Sequence, residues 1–188
     1  AHGGLSVGPD GATHQALEEI SNMYYLPNMH IVVPADSIET KKGTRAVAEI
    51  QGPAVIRYAR EATPVISEEN TPYQFGKANI IRFREEKENF TDAFETKVST
   101  EYQSENEDLA IIACGPMVAE AMRAAYILKK EYDLETRVVN IHTVKPIDKE
   151  AIIKATQDTE IILTAEEQQK VGFENIVAGV IPEGKMFK

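Results

Sequence analysis

The sequence predicts an α/β fold built from parallel-sheet βαβ segments. Short apolar runs rich in β-branched residues, among them HIVVP, AVIRYAR and LAIIAC, alternate with longer stretches of helical periodicity. Alternation of this kind marks parallel strands joined by crossover helices. Two such series stand on either side of a polar, strongly charged tract at residues 84–108.

The elements follow in order. Residues 14–25 carry Leu17, Ile20 and Tyr24 at helical spacing, with Thr13 placed as the N-cap and Glu18 and Glu19 in the early turns. Pro27-Asn28 ends this helix. Residues 30–34 read as a strand, and Ser37 as the cap of a second helix over 38–50. Gly52-Pro53 turns the chain into a strand over 54–60. Residues 61–71 have no clear period and read as an interdomain linker. Residues 73–83 alternate well enough for a strand pair or one long strand. The charged tract 84–108 reads as an exposed hairpin, a loop or a partly disordered insertion. Residues 109–114 form a buried strand. Gly115-Pro116 then opens a helix whose Val118, Met122, Ala125 and Leu128 face the sheet. Strands are expected at 137–142 and 160–165, with a helix at 148–156 between them. A last helix starts at Val171 or Gly172 and runs to Val180.

The chain has 188 residues, 43% hydrophobic and 27% charged, ordinary values for a globular protein. No apolar run approaches the roughly 20 residues needed to span a bilayer. No signal peptide is visible, so a cytoplasmic location is the expectation. The net charge of -10 argues against nonspecific nucleic-acid binding, which needs clustered cations. Neither a nucleic acid nor a membrane is an expected partner. Cys114, the single cysteine, reads as a buried strand residue.

The strongest chemical signal is HGGLSVGPDGATHQ at residues 2–15. A glycine-rich loop can turn sharply and approach a ligand closely. Here it gathers His2, Asp10 and His14, groups that exchange protons or orient hydroxyls. The competing reading is a loop histidine with a helix-capping aspartate. The spacing gives no support for a metal site. Arg57 and Arg60 lie near the end of a strand, where ligands of open α/β sheets bind. Arginine there suits phosphate. Strand alternation puts the two on opposite faces unless the strand ends near Tyr58. Pairing to Glu61 or another surface carboxylate is the bland alternative. Gly115-Pro116-Met117 is a weak anion signal. His142 with Lys145-Pro146 reads as a structural loop, and Glu166-Glu167 as an exposed acidic turn.

In order along the chain, HGGLSVGPDGATHQ, LPNMHIVVPAD, GPAVIRYARE, IIACGPMVAEAMRAA, VVNIHTVKPIDKEAI and TAEE resemble the transketolase family. The RYARE and HTVKPID stretches are also similar to deoxyxylulose-phosphate synthase and to the β subunits of 2-oxo acid dehydrogenases. The resemblance implies a partial pyrimidine-binding domain at 1–65, a linker and charged insertion at 66–108, and a Rossmann-like transketolase C-terminal domain at 109–188. It implies an enzyme of pentose phosphate metabolism that uses thiamine diphosphate and Mg2+ to pass a two-carbon glycolaldehyde unit from a ketose phosphate to an aldose phosphate. His2 and His14 correspond to catalytic histidines, and Asp10 to a substrate-binding aspartate. Arg60 corresponds to the arginine that grips the substrate phosphate, while Arg57 has a counterpart in the synthase-like relatives alone.

The family's GDG metal-diphosphate motif and cofactor-activating glutamate have no match in this chain. No cofactor-binding residue is therefore assigned, and the isolated chain is expected to be inactive and to bind no cofactor by itself. Tyr24 stands where the family usually has an arginine nearby, and Gln168 and Val171-Gly172 where it has a histidine and a Gly-Gly pair. The expected partners are sugar phosphates and an N-terminal transketolase part or partner chain. A homo-oligomer such as a dimer is also expected, because half a sheet leaves an unpaired edge. The alternatives are a non-catalytic truncated homologue serving as an assembly module, or a subunit of the synthase or dehydrogenase relatives.

Overall fold

The computed structural model describes residues 3–168 and 172–181. In its first part, helix α1 (Glu19–Tyr24), strand β1 (His30–Val32), helix α2 (Ser37–Glu49) and strand β2 (Ala54–Ile56) follow one another. Strands β1 and β2 are parallel, with α2 as their crossover. The second part adds β3 (Asn79–Phe83), β4 (Phe94–Val98), β5 (Leu109–Ala113), α3 (Met117–Tyr132), β6 (Thr136–Asn140), β7 (Thr143–Lys145), α4 (Lys149–Asp158), β8 (Ile161–Ala165) and α5 (Phe173–Ala178). Its sheet has the order β4-β3-β6-β5-β8. Strand β5 runs parallel to both β6 and β8, whereas β3 is antiparallel to β4 and β6. The α/β class expected from the sequence is the observed one, with antiparallel β3, β4 and β7 added to the expected parallel segments.

Period-two alternation explains the core. On β5, Ala110 and Ile112 face one way while Leu109 and Ile111 face the other. Ile80 with Val139, and Ile81 with Val138, divide between the same two faces. Helices α4 and α5 cover the first face with Ile152, Phe173 and Val177, and α3 covers the second with Val118 and Met122. A strand buried on both faces reads as a continuous apolar run, which is why LAIIAC was legible.

The structure corrects several local expectations. The first helix begins at Glu19, with Thr13 outside it. Gly3 forms a parallel bridge with Ala16, and this pairing holds the chain extended where the helix would have started. The cap of α2 is Asp36, whose carboxylate accepts from Glu39 N at 2.8 Å. Strand β2 stops at Ile56, four residues short of the expected end.

The tract 84–108 contributes the edge strand β4, and one of its carboxylates, Glu107, is buried. Arg82 and Arg137 are directly opposed on β3 and β6, a costly pairing of like charges. The side chain of Glu107, fully buried, lies between them. It accepts from Arg137 Nη2 at 2.7 Å and from Arg82 Nη1 at 3.4 Å. Strand β7 joins the first sheet, in the order β2-β1-β7. It was not foreseen, since three residues are too few to carry a period.

Candidate functional site

The glycine loop sits on a buried guanidinium. Gly4 N donates to Ala16 O at 3.1 Å, and Leu5 N donates to Glu167 O at 3.2 Å. A 3-10 segment, Leu5–Asp10, then carries Asp10 outward. Gly4 has φ 88, and a Cβ there would lie 2.6 Å from Glu167 Cβ and 2.8 Å from Arg57 Nη2. Glycine is thus required twice at this point, for the left-handed backbone and for the close approach.

Arg57 is that guanidinium. It is 3% exposed, and its Nε donates to Glu19 Oε1. With the Gln168 amide turned so that its nitrogen donates to Glu166 Oε2 at 2.9 Å, the amide oxygen accepts from Arg57 Nη2 at 2.9 Å and Nε at 3.0 Å. Glu19 and Gln168 were not foreseen as parts of this site. The run TAEEQQ, placed after a strand, was the one signal that pointed towards Gln168. Arg60 leaves the strand end on the outer side and pairs with Asp10. Both remain accessible, with side chains 38% and 30% exposed. His14, on the same loop, is exposed, with Nδ1 2.9 Å from Thr13 Oγ1.

The fold therefore brings together Asp10 and Arg60, with His14 four residues further along the loop. It sets Arg57 behind the loop, away from its outer face. Because β2 ends at Ile56, strand alternation no longer separates the two arginines; the loop itself does. The His2 assignment lies outside the described residues, as does the expected helix start at Val171.

The remaining candidates have structural duties. Glu166 is half-buried and accepts from Phe173 N and Glu174 N at 2.8 Å each, which closes the first turn of α5. Burial raises its carboxyl above the usual range against those two hydrogen bonds. Glu167 and Gln168 are buried. The exposed acidic turn is thus corrected: the N-H groups of α5 hold the Glu166 carboxylate, and Leu5 N of the glycine loop donates to the backbone carbonyl of Glu167. His142 is fully buried and stacked on Tyr73 at 4.2 Å between ring centroids. Burial pushes its pKa down to about 3, so it is neutral. Gly115 N donates to Val33 O at 3.2 Å, which removes it as an anion donor. Cys114 is buried and its thiol is pushed up by desolvation.

Among the described residues, no group of three or more His, Cys, Asp or Glu could hold a metal ion. None of their helices is long and apolar enough to cross a membrane.

Comparison with known proteins places these features. Residues 1–65 match the transketolase pyrimidine binding domain, and residues 99–188 match the transketolase C-terminal domain. A Methanocaldococcus jannaschii protein named as a transketolase C-terminal section is 36% identical over 173 residues, covering 91% of this chain and 46% of its own length. One of the subunits of an apulose-4-phosphate transketolase from Phocaeicola vulgatus is 33% identical, over 90% of this chain and 47% of its own. A solved structure described as a split gene transketolase, inactive beta4 tetramer, superposes with a TM-score of 0.75 at 30% identity, over 99% of this chain and 53% of that one. The chain spans about half the length of the curated relatives it matches.

Proposed function

The chain belongs to the transketolase family, and from that premise we propose that it supplies the sugar-phosphate-facing part of a ketol-transferring enzyme. The reaction is transfer of a two-carbon glycolaldehyde unit from a ketose phosphate to an aldose phosphate. The observation that carries this reading is the accessible Asp10–Arg60 pair on a glycine loop.

Arg60 offers a planar fork of donors to a phosphate. An incoming phosphate replaces Asp10 as its partner and frees that carboxylate to accept from a sugar hydroxyl. His14 offers an imidazole as a hydrogen-bonding and proton-transfer group to the same substrate, and His2 is assigned the same role. Arg57, expected as a second substrate-binding arginine, acts in this proposal by holding the loop from behind.

The residues of this chain do not by themselves fit the metal-diphosphate end of thiamine diphosphate. In this proposal the cofactor and its Mg2+ are held by residues outside these 188, on a partner chain or an adjoining segment. Two relatives support a divided enzyme by their names, one a transketolase subunit and the other a split-gene product that is inactive as a β4 tetramer. Residues 1–65 act as the latter half of the pyrimidine-binding domain and 109–188 as the C-terminal domain. The hairpin within 66–108 is built into the second domain's sheet. Exposed Ile161 and Leu163 on the edge strand β8 support an assembled state.

The test mixes this chain with one carrying the family's cofactor domain and follows ketol transfer. We expect no turnover from either alone and turnover from the mixture. Arg60→Ala should raise KM for phosphorylated sugars by roughly 10–100-fold, the worth of a charge-assisted hydrogen bond of about 1.5–3 kcal/mol, with little change for unphosphorylated ones. Turnover by the isolated chain, or an unchanged KM, would refute the assignment. Pyruvate offered as donor separates ketol transfer from the synthase and dehydrogenase chemistries.

A further inference from the structure

The junction between the two sheets holds a polar pit that the reading above does not use. Its walls include Ala35, Glu39, Asn79, Ile81 and Asn140, and its volume is about 10 Å³, room for about one water-sized group. Ile66, Thr71 and Thr96 line both the pit and an open groove of about 440 Å³. The pit is the floor of that groove.

Asn79 and Asn140 are register partners on β3 and β6, so their side chains share a face and lie within reach of one another. They are 2% and 3% exposed. Asn79 Nδ2 donates to Pro72 O at 2.9 Å, and Asn140 Nδ2 donates to Glu39 Oε1 at 2.8 Å. At pH 8, where Glu39 is ionised, both partners are acceptors, which fixes the two amide orientations and leaves each Oδ1 facing elsewhere. Neither Oδ1 has a hydrogen-bond partner among the described residues. A buried unpaired acceptor costs about 1–3 kcal/mol. Two of them beside a buried carboxylate call for a donor.

No donor among the described residues lies within hydrogen-bond distance of either Oδ1. The Asp36 carboxylate is saturated by Glu39 N, Ile66 N, Ser67 N and Ser67 Oγ. Lys42 Nζ gives two of its three donors to the carbonyls of Glu68 and Thr71. Among the described residues, no Lys or Arg lines the pit or the groove, whereas Glu68 and Asp92 stand on the groove's wall.

We propose that pit and groove bind a small primary ammonium compound. Its –NH3+ group donates to Asn79 Oδ1, Asn140 Oδ1 and Glu39, three donors for three acceptors. Its carbon body lies in the groove beside Pro72 and Phe94. A divalent metal is a poorer match, because one carboxylate and two neutral amides give it too little charge. Burial, with Asp36 adding to it, holds the Glu39 carboxyl up to about 7, and a bound cation would draw it back down. The site stands independently of the ketol-transfer reading.

The probe is propylammonium chloride, titrated into the full chain at pH 8 while the thermal midpoint is recorded. We expect a saturable rise of at least about 2 °C. Tetramethylammonium, which has no N–H, should give none, and Asn79→Leu should abolish the rise. Because that variant can fail to fold, the side-chain amide resonances of Asn79 and Asn140 are followed in the unaltered protein and should shift with the same saturation. An equal response to potassium chloride would make this a bare monovalent-ion site and overturn the proposal. So would an equal response to tetramethylammonium, or no response at all, the pit then holding water alone.

Discussion

Replacing Glu39 with glutamine should change the pH dependence of stability more than stability itself. Glu39 is fully enclosed at the start of α2, where its carboxylate accepts from Ala35 N at 2.6 Å and from Asn140 Nδ2 at 2.8 Å. Desolvation outweighs these bonds and raises the carboxyl from 4.5 to about 7. The folded state therefore holds a proton that the unfolded state releases between those two values. Stability from this group is full below about pH 4.5 and is lost as pH rises through about 7. At about 1.4 kcal/mol per unit, the shift amounts to roughly 3 kcal/mol.

Glutamine keeps the acceptor for Ala35 N, and Asn140 can turn its Oδ1 to meet the new amide. The difference between Glu39→Gln and the parent should thus rise in favour of the variant by roughly 3 kcal/mol from pH 4.5 to pH 8 and then level off. Every other titrating group is common to both proteins and cancels in the difference. Urea unfolding at half-unit intervals, in a buffer free of ammonium and amines, measures it. A difference that stays flat within about 0.5 kcal/mol, the spread of additive effects, would refute the claim that Glu39 is enclosed and desolvated.

His142 works with the opposite sign, since its pKa is pushed down from 6.5 to about 3. Its contribution is present above pH 6.5 and is lost as pH falls below that value. His142→Phe, which keeps a ring on Tyr73, should gain on the parent by about 1.4 kcal/mol per unit from pH 6.5 towards 3, read from the same urea series; a constant offset would count against burial of a neutral imidazole. Gly4→Ala and Gly8→Ala separate crowding from backbone strain. A Cβ at Gly8 (φ 63) meets nothing within 4 Å, so Gly8→Ala should cost about 1–2 kcal/mol for the left-handed backbone. Gly4→Ala adds the collision with Arg57 and Glu167, for about 2–4 kcal/mol in all. Equal midpoints in urea would show that the loop does not rest on Arg57.

The candidate site was half legible in the sequence. Glycines around a polar triad announced a loop that approaches something closely, and strand-end arginines announced an anion. What they approach was not legible. Arg57 and Arg60 are three residues apart and of one type, yet one is buried against Glu19 and Gln168 while the other meets Asp10 in the open. That division depends on Gln168, more than a hundred residues away in sequence, closing behind the loop. Likewise the acidic tract 84–108 looked solvated, because composition reports the mean preference of a segment. Glu107 goes inside because Arg82 and Arg137 face each other across two strands.

Local chemistry determined the alternation of strands and helices, the two-faced apolar strands and the glycine loop, since periodicity and backbone freedom are properties of neighbours in sequence. The tertiary structure decided which end of α1 survives, which arginine is exposed, and that β7 and the β3–β4 hairpin complete the sheets. Those outcomes turn on single hydrogen bonds and ion pairs between distant segments, such as Gly4 to Ala16, Leu5 to Glu167 and Asn140 to Glu39. Their strength comes from burial, and burial exists only once the chain has folded.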